Sequence, residues 1–429
     1  MRGLFVFLYR CAGAVAALAT LAGSLVAGGE DARRLAERRG LWKGHREATG
    51  PWVWIHSASV GEAEIAVALA RRLAPHLAGV RLVLSSMTPG GVARTARESG
   101  VESRFFPIDF APFVKRILGQ GPPLVFVAVE TEIWPETLTR LADLGVPAAV
   151  VNARISDSSL PRYRRLGPLV RPLLARLARV CARDEENAAR WISLGARPAA
   201  VEVTGNIKFD LGSSGETKDV PQLLRRDPGV DIVLAASTHE GEEALALDAF
   251  AGLRERRPGA VMVVAPRHPE RSRAVADLAA AKGFAVASWG DSRTGSAWPA
   301  GADVLVLDRL GLLRQAYASA DAAFVGGSAV EGPGGHNLLE AVEAGCPAAA
   351  GPHLGNVPDQ EALLREEGAL EVVNNVDDLT RFWLEAVERP EDLRAASERA
   401  RRAVEGRRGA LERCVKSVLG LIAATREAA

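Results

Sequence analysis

Three segments of this chain combine small, polar and charged residues in a way that suits phosphate binding and proton transfer. They are residues 54–62 (WIHSASVGE), 265–271 (APRHPER) and 326–340, which runs from Gly-Gly-Ser to Gly-Gly-His-Asn-Leu-Leu-Glu. Each segment follows an apolar run that predicts a β-strand. Ligands of open α/β sheets bind at the carboxyl ends of strands, so these junctions are the candidate sites.

Glu62 is the candidate proton acceptor of the first segment. His56, Ser57, Ser59 and Gly61 make the loop before it small and polar, and a carboxylate in such a loop could accept a proton from a hydroxyl. A structural role is the alternative, because a glutamate at the start of a predicted helix also stabilises the positive end of the helix dipole.

Two further carboxylates, Glu130 and Glu132, follow an apolar strand predicted at residues 124–129. A buried carboxylate needs a partner, and Lys208 or an arginine could supply one. A catalytic role and a plain structural ion pair both fit this pattern.

In the second half of the chain, Arg267 and His268 follow a strand predicted at residues 261–265. Two cationic side chains at a strand end suit a phosphate, because arginine can donate two parallel hydrogen bonds to it. A solvated loop is the alternative, since most charged side chains are simply hydrated.

The segment from Gly334 to Glu340 predicts the start of a helix at which backbone N–H groups could approach an anion. Asn337 could instead cap that helix. Glu340 lies on the same predicted face as His336 and could bind a ribose diol. The chain contains no GxGxxG or Walker sequence, which argues against dehydrogenases and P-loop ATPases.

The elements that position these residues alternate between strand and helix, a pattern that indicates parallel sheets. The predicted strands are 52–55, 80–85, 124–129, 148–152 and 201–204 in the first half, and 231–235, 261–265, 302–307, 322–325 and 348–351 in the second. The predicted helices are 62–77, 91–99, 240–256 and 390–429, with a basic helical stretch at 162–179. That basic stretch could face an anionic membrane or be a solvated helix face.

We expect the 429 residues to fall into five parts. These are a membrane anchor at 1–30, a Rossmann-like domain at 31–210, a polar linker at 211–228, a second Rossmann-like domain at 229–405 and a C-terminal helix at 406–429.

The first part is an apolar run at residues 4–28, interrupted only by Arg10. Its length is borderline for a helix that spans a bilayer. Six basic residues follow it between positions 33 and 46, whereas only Arg2 and Arg10 lie before or within it. This bias predicts an uncleaved anchor with the body on the cytoplasmic side. A cleaved signal peptide and an interfacial or buried helix are the alternatives.

Composition excludes several other classes of protein. A net charge of +1 provides no general attraction to nucleic acid. The four cysteines are far apart and lack metal-ligand spacing, which indicates a reduced compartment and inert thiols. We expect no metal and no cofactor.

Nine segments, taken in order, resemble the 3-deoxy-D-manno-octulosonic acid (Kdo) transferases of lipopolysaccharide synthesis. They are WIHSASVGE at 54–62, SSMTPGG at 85–91, VETEIWPE at 129–136, NARISD at 152–157, TGNIKFD at 204–210, STHEGEE at 237–243, APRHPER at 265–271, GGS…GGHNLLE at 326–340 and AGPHLGN at 350–356. The resemblance covers nearly the whole body of the chain.

This resemblance implies a GT-B type glycosyltransferase with two Rossmann-like domains that face a cleft, the first for the acceptor and the second for the nucleotide sugar. It implies CMP-Kdo as the donor and a lipid A precursor, lipid IVA, as the acceptor. The enzyme would act at the cytoplasmic face of the cell inner membrane.

The resemblance also assigns roles to individual residues. Glu62 matches the general base, and Glu130 and Lys208 match residues that act on the transition state. The CMP site matches Pro266, Arg267, His268, Leu310, Gly311, Leu312, Asn337, Leu338, Leu339 and Glu340. The chain departs from the family pattern at 308–313, where it reads DRLGLL instead of DTMGEL, and at 337–340, where it reads NLLE instead of NPLE.

In the implied reaction, Glu62 takes the proton of a sugar hydroxyl while the hydroxyl oxygen attacks the anomeric carbon of Kdo and CMP leaves, with inversion. Arg267, Lys208 and the helix N-terminus near Gly335 would neutralise the charge on the phosphate in place of a metal. The alternatives are a GT-B transferase that uses another nucleotide sugar and a non-catalytic membrane-bound lipid or nucleotide binder.

Overall fold

The computed structural model describes residues 2–24, 26–44, 50–98, 100–119, 121–211, 229–291, 298–309 and 311–428. They form two compact units. Unit 1 comprises Met1–Leu211 and Arg407–Ala429, and unit 2 comprises Gly212–Gly406. The predicted linker lies outside the described residues from position 212 to its end.

Unit 1 is built on seven parallel strands. They are β1 (Trp52–Ser57), β2 (Arg81–Ser86), β3 (Val101–Phe105), β4 (Phe126–Val129), β5 (Ala148–Ala153), β6 (Arg179–Ala182) and β7 (Val201–Val203). Their order in the sheet is β3-β2-β1-β4-β5-β6-β7, so the direction of the crossovers reverses between β1 and β4.

Helices cover both faces of this sheet. They are α1 (Arg2–Gly23), α2 (Gly29–Arg38), α3 (Val60–Leu73), α4 (Pro89–Ala96), α5 (Ala111–Leu118), α6 (Pro135–Asp143), α7 (Leu160–Arg165), α8 (Gly167–Leu174) and α9 (Glu185–Leu194). All six residues of β1 are buried, with Trp52 and Trp54 in one core cluster and Val53 and Ile55 in another. Successive side chains of a strand point to opposite faces, so a sheet covered on both sides requires such an unbroken apolar run.

Unit 2 repeats this architecture. Its parallel strands are β8 (Ile232–Thr238), β9 (Val261–Pro266), β10 (Val286–Ser288), β11 (Val304–Val306), β12 (Ala322–Val325), β13 (Ala348–Ala350) and β14 (Leu370–Val372), in the order β10-β11-β9-β8-β12-β13-β14. Its helices are α10 (Glu242–Arg256), α11 (Ser272–Ala281), α12 (Leu313–Ser319), α13 (Leu339–Glu343), α14 (Pro358–Glu366), α15 (Val376–Glu388) and α16 (Pro390–Gly406). The crossovers reverse between β8 and β12.

The last helix, α17 (Ala410–Ala428), belongs to unit 1. Its residues Leu411, Val415 and Ile422 are buried in the same core cluster as the apolar face of α3. The carboxylate of Asp210 accepts hydrogen bonds from Gly409 N and Leu411 N, both at 2.7 Å. These bonds satisfy backbone donors at the start of α17, which would otherwise lack intrahelical partners.

The N-terminal helix α1 is apolar and long enough to cross a membrane, the only such helix found among the described residues. One side of it packs on unit 1, where it contacts α2 and α8 and buries Ala17 and Thr20. The Tyr9 hydroxyl donates a 2.7 Å hydrogen bond to Asp109 Oδ2, and Arg10 forms an ion pair with Glu136. The other side exposes large apolar side chains, namely Leu4, Phe7, Leu8, Val15 and Leu18.

The structure differs from the predicted elements in four places, the first being that the helical stretch predicted at 390–429 is divided into α16 and α17. The basic stretch 162–179 is not one helix but α7 and α8 followed by strand β6, and Pro172 lies inside α8. The helix expected from Gly334 begins only at Leu339. Strands β3, β6, β10 and β14 were not predicted, because each is short or only partly buried and so lacks a long apolar run.

Candidate active site

The loops after β1 and β4 lie side by side where the strand order of unit 1 reverses. A parallel sheet leaves a crevice at such a point, outside the carboxyl ends of its strands. β1 ends at Ser57 and β4 ends at Val129, so Glu62 and Glu130 both follow strands that border this crevice. The structure therefore brings two of the three predicted catalytic residues together.

Glu62 closes the N-terminus of α3 through a reciprocal set of hydrogen bonds. The Ser59 hydroxyl oxygen accepts from Glu62 N at 3.3 Å, and the same hydroxyl donates to Glu62 Oε1 at 3.0 Å. Ala58 N donates to Glu62 Oε2 at 2.7 Å. The structural role of Glu62 is thus real, because these contacts satisfy donors that a helix start leaves open.

Capping alone does not describe the electrostatics of Glu62. Hydrogen bonds from Ala58 and Ser59 favour the ionised carboxylate, yet its pKa is raised from 4.5 to about 7, first by burial and then by the negative charges of Glu132 and Glu130. A helix start normally favours an ionised acid. A carboxyl group held near neutral pKa in a crevice instead has the properties of a general base.

Glu132 is held in place by the ring N–H of Trp134, lies close to the His56 ring and contributes negative charge to the site. Trp134 Nε1 donates to Glu132 Oε2 at 2.8 Å, and His56 Nε2 lies 3.4 Å from the same oxygen. The fully buried His56 ring stacks on Phe106 with the centroids 3.8 Å apart, and His56 Nδ1 lies 3.1 Å from Ser85 Oγ. The imidazole therefore has little freedom to move.

Glu130 adopts a left-handed backbone conformation with φ of 61°. This conformation costs about 1–3 kcal/mol for a non-glycine residue and is concentrated at functional sites. Its Oε1 lies 3.2 Å from Lys208 Nζ. The third predicted catalytic residue thus reaches the site through an ion pair with the second.

Two asparagines position Lys208. Asn152 Oδ1 accepts from Ile207 N at 2.9 Å, and Asn206 Oδ1 accepts from Lys208 N at 3.1 Å. Asn152 is itself left-handed, with φ of 53°, and fully buried. These bonds fix the short 3₁₀ helix Ile207–Phe209 that carries the lysine.

In unit 2, the crevice between β8 and β12 is shaped by a buried carboxylate that the sequence analysis overlooked. Glu242 is fully buried and accepts backbone hydrogen bonds from His239, Gly327, Ser328 and Ala329 at 2.7–2.9 Å. The N–H groups of Gly327, Ser328 and Ala329 are therefore already bonded within the protein. An internal carboxylate already occupies the place of the anion.

Cationic and imidazole groups surround that carboxylate. Arg267 N donates to Thr238 O at 3.0 Å, and the side chains of Arg267 and His268 are exposed after β9, which ends at Pro266. His239 Nε2 lies 2.8 Å from His336 Nε2. The exposed residues Arg267 and His268 are free to meet a ligand from solvent.

The residues predicted around α13 are well ordered by local contacts. Asn337 Oδ1 accepts from Leu339 N at 3.2 Å, and Asn337 Nδ2 donates to Glu340 Oε1 at 3.2 Å. Leu338 and Leu339 are buried core residues. The pKa of Glu340 is raised, chiefly by burial, while Arg267 and Arg314 act against that rise. The N-cap of α13 is Leu338 and not Asn337, although the Asn337 side chain bonds to the first helical residue, and Glu340 lies near two cations.

Gly334 and Gly335 serve packing rather than an open anion site. A Cβ at Gly334 would lie 2.9 Å from the Asn356 side chain, and one at Gly335 would lie 2.9 Å from Leu354 Cδ2. Both have positive φ, which only glycine adopts readily. The expected helix N-terminus near Gly335 is absent, since α13 starts four residues later.

The remaining predicted nucleotide contacts lie before α12. Gly311 is exposed with φ of +89°, and Leu312 is partly buried at the start of the helix. Leu310 lies outside the described residues. Arg314, on the first turn of α12, carries buried Nε and Nη2 atoms with no hydrogen-bond partner among the residues described.

The sequence analysis missed four groups that shape these sites: His239, Glu242, Arg314 and the Asn152–Asn206 pair. The asparagines, His239 and Glu242 stand inside segments that carry the family resemblance. Arg314 had no comparable signal, because it lies just beyond a segment that departs from the family pattern.

Comparison with known proteins gives consistent results. The family model described as 3-deoxy-D-manno-octulosonic-acid transferase (kdotransferase) matches residues 33–211. The 3-deoxy-D-manno-octulosonic acid transferase of Haemophilus influenzae is 33% identical over 356 residues, which are 81% of this chain and 82% of that protein. The transferase of the same name from Bordetella pertussis is 32% identical over 412 residues, covering 88% of this chain and 94% of that protein.

Among solved structures, UDP-GlcNAc 2-epimerase from Neisseria meningitidis bound to UDP-GlcNAc aligns with a TM-score of 0.54. The alignment covers 86% of this chain and 100% of that chain at 12% identity. Identity this low shows a common fold and nothing about activity. The predicted fold class, two parallel α/β domains of the GT-B type, is confirmed.

Proposed function

The chain belongs to the 3-deoxy-D-manno-octulosonic acid (Kdo) transferases, and from this membership we propose that it transfers Kdo from CMP-Kdo to a hydroxyl of lipid IVA, a lipid A precursor. The observation that carries this proposal is the Glu62 carboxylate, whose pKa of about 7 and place beside Glu130 and Glu132 suit proton removal. Transfer proceeds with inversion and without a covalent sugar–enzyme intermediate.

Glu62 acts as the general base. Its carboxylate takes the proton of the acceptor hydroxyl while the hydroxyl oxygen bonds to the anomeric carbon of Kdo. Ala58 N and the Ser59 hydroxyl keep the carboxylate oriented. The raised pKa makes Glu62 a stronger base than an ordinary carboxylate, yet leaves much of it ionised near neutral pH.

Lys208 and Glu130 act on the charge that develops in the transition state. The ion pair keeps an ammonium group beside Glu130, and a fixed positive charge of this kind favours the negative charge that develops on a departing phosphate. The left-handed backbone conformation of Glu130 turns its carboxylate towards Lys208, and the surrounding structure offsets the free-energy cost of that conformation.

Unit 2 binds the nucleotide. Arg267 and His268 are exposed and cationic or hydrogen-bonding, which suits a phosphate. Glu340, fixed by Asn337, suits a ribose diol. The site is also shaped by Pro266, Gly311, Leu312, Leu338 and Leu339. Leu310 is assigned to it by resemblance alone.

We place the enzyme at the cytoplasmic surface of the inner membrane, with α1 lying in the plane of the bilayer interface. The exposed apolar stripe of α1 supplies buried area in lipid. Arg164, Arg165 and Arg171 are exposed on α7 and α8, and α8 packs against α1. A basic patch beside an apolar stripe complements an anionic lipid surface.

The contacts of α1 with unit 1 favour the in-plane arrangement over a spanning one. Tyr9 and Arg10 lie within the first third of the apolar run and are both bonded to side chains of the body. A spanning helix would have to give up these bonds and bring the charged Arg10 side chain into or close to hydrocarbon, which is unfavourable.

The proposal is tested by incubating membranes that carry the protein with CMP-Kdo and a tetraacylated lipid A precursor. We expect CMP release that depends on the acceptor, and a lipid product heavier by one or more Kdo residues. Transfer from a different nucleotide sugar would replace the donor assignment. Binding of donor or acceptor without any turnover would mean that the chain is a non-catalytic binder.

A further inference from the structure

Two histidines of unit 2 form a close imidazole pair outside the residues assigned above to the donor. His239 Nε2 and His336 Nε2 lie 2.8 Å apart, and the ring centroids are 5.0 Å apart with the planes 18° from parallel. His239 follows β8 and His336 precedes α13, so the pair lies at the reversal of strand order in unit 2. Both side chains are only partly buried.

A 2.8 Å contact between two ring nitrogens requires one proton between them. One Nε2 donates its N–H and the other accepts with its lone pair. If both rings were protonated, two N–H groups and two positive charges would face each other. The pair therefore has a definite neutral state and can hold one additional proton only if a nearby anion stabilises it.

The surroundings keep the pair neutral in the free protein. Burial, and then the charge of Arg267, lower the pKa of His336 to about 4, and burial lowers the pKa of His239. Arg271 and His268 add to this effect, although Arg271 is ion-paired with Glu243 at 2.8 Å. The negative charge of Glu242 acts in the other direction and raises the pKa of both histidines. Its carboxylate, however, already accepts hydrogen bonds from four backbone N–H groups.

The backbone holds both rings against each other. Gly327 has φ of +69°, and a Cβ there would lie 2.7 Å from His336 Cδ2, so any other residue would displace the ring. Ser237, two residues before His239, is left-handed with φ of 52°, at a shift in register between β8 and β9. Strain of this kind persists where the fold over-determines a position, commonly at a ligand site.

We propose that the His239–His336 pair is a second anion-binding element of the donor site, which takes up one proton from solvent when the phosphate of the nucleotide binds. This inference rests on the proposed function. Arg267, which acts electrostatically on His336, supplies the fixed charge, and the pair supplies a charge that appears only with the ligand. His239 and His336 are thus donor-binding residues in addition to Arg267 and His268.

The pair also has a defined part in the reaction. When the bond between the anomeric carbon and the phosphate oxygen breaks, its electron pair remains on that oxygen and the phosphate gains negative charge. The proton held by the pair hydrogen-bonds to the phosphate and offsets this charge. No bond to either imidazole forms, and the proton returns to solvent when CMP departs.

The test is calorimetric titration of the full-length protein with CMP at pH 7.5 in two buffers that differ in ionisation enthalpy. We expect a net uptake of protons on CMP binding and a dissociation constant that rises with pH, by no more than about tenfold per pH unit. His336→Gln and His239→Gln should each abolish the uptake and flatten this pH dependence. Gln keeps a polar atom near the Nε2 position but cannot bind an extra proton.

Controls separate the pair from other histidines and from folding. His76→Gln, at an exposed 3₁₀ helix of unit 1, should leave uptake unchanged, and thermal melting without CMP reports whether each variant is folded. If one pair variant does not fold, the other carries the test. Loss of uptake in His268→Gln with retention in both pair variants would overturn the inference.

The outcomes also separate this inference from the proposed function. Wild-type protein that binds CMP without taking up a proton would overturn the role of the pair and leave Kdo transfer intact. Wild-type protein that neither binds CMP nor transfers Kdo would overturn both. Uptake that vanishes in His336→Gln and His239→Gln while His76→Gln behaves as wild type would establish the pair.

Discussion

The Lys208 ammonium lies 3.2 Å from Glu130 Oε1, in a pair whose side chains are 28% and 16% exposed. Both residues lie at the carboxyl edge of the unit 1 sheet, and the charge of Glu130 helps to raise the pKa of Glu62. Lys208 therefore acts on the proposed base indirectly, by offsetting the charge of its neighbour. Since the pair is only partly shielded from solvent, its effect is modest in energy but directed at the reacting group.

Replacing Lys208 should move the pH profile of the enzyme. The ionised form of Glu62 is the active one, so we expect log kcat/KM to rise with pH up to a pKa of about 7 in the wild type. Lys208→Met leaves the Glu130 charge without its partner and increases repulsion on the Glu62 carboxylate. The acid limb of kcat/KM, measured by CMP release, should shift to higher pH, with kcat lowered by about tenfold or more.

Lys282→Met is the matched control for that change. Lys282 is 27% exposed and forms an ion pair with Asp248 in unit 2. Its loss removes a lysine of similar exposure without touching the proposed base. A shifted acid limb in Lys282→Met, or an unshifted one in Lys208→Met, would contradict the electrostatic link between Lys208 and Glu62.

Glu62→Gln should separate donor binding from turnover. Glutamine keeps an oxygen that can accept from Ala58 N or from the Ser59 hydroxyl, so α3 should still start at the same residue. It cannot accept a proton from the acceptor. We expect kcat to fall by about 10²–10⁴-fold, with the dissociation constant for CMP within about twofold of wild type.

Glu64→Gln, two residues further along α3, is the control for Glu62→Gln. Glu64 is ion-paired with Arg94 at 2.6 Å and lies outside the proposed site. Its variant should turn over like the wild type. Near-normal activity of Glu62→Gln would rule out Glu62 as the base and leave only its capping role.

Glu62→Gln should also stabilise the protein at alkaline pH. The folded-state pKa of Glu62 is raised from 4.5 to about 7, so the native state binds this proton more tightly than the unfolded state. Stability therefore falls as pH rises from about 4.5 to 7 and stays lower above that range. Glutamine carries no such penalty, and we expect Glu62→Gln to raise the free energy of unfolding at pH 8 by about 1–2 kcal/mol.

Urea unfolding of both proteins at pH 4.5 and pH 8 checks this sign. The difference between variant and wild type should be larger at pH 8 than at pH 4.5. A variant that is less stable than wild type at pH 8 would mean that capping by the carboxylate outweighs its burial.

Much of the fold could be predicted from the sequence, because both parallel sheets are covered by helices. Strands β4 and β12 are apolar and buried at every residue, and β1 is apolar over its first four residues, so each appears as an unbroken apolar run. Strands at the sheet edges, such as β10 and β14, are three residues long and partly exposed. Their place is set by pairing with a neighbouring strand, which a single sequence does not reveal.

The site was predictable in outline for a related reason. Glu62, Glu130 and Arg267 follow strong apolar strands, so their position at strand ends could be inferred directly. The role of Glu242 could not, because its four donors lie 3 residues before it and 85–87 residues after it in the chain. The sequence of the Gly326–Ser328 loop does not reveal that its backbone N–H groups bond to the Glu242 carboxylate.

Glu242→Gln should destabilise unit 2 and weaken nucleotide binding. The amide NH₂ group would face N–H donors that now bond to a carboxylate oxygen, either at Gly327 and His239 or at Ser328 and Ala329. Charged hydrogen bonds are worth about 1.5–3 kcal/mol each, so we expect a loss of about 2–4 kcal/mol. Urea unfolding and CMP titration measure the two effects.

Glu240→Gln is the control for this variant, since Glu240 is exposed in the same loop. We expect its unfolding free energy to lie within about 0.5 kcal/mol of wild type. Equal stabilities of the two variants would show that the buried carboxylate does not hold the Gly326–Ser328 loop in place.

The N-terminal helix should bind anionic vesicles through both its apolar stripe and the arginines next to it. Leu8 and Val15 are more than half exposed on one side of α1, so Leu8→Asp with Val15→Asp should abolish cosedimentation of the full chain with vesicles that contain anionic lipid. Leu144→Asp, an equally exposed apolar site after α6, is the matched control and should bind like the wild type.

Arg164→Gln with Arg165→Gln should weaken binding by about 2 kcal/mol, or about thirtyfold, at low salt. Binding that is indifferent to the arginines and to salt, but lost with α1, would favour a helix that spans the bilayer over one that lies in its surface.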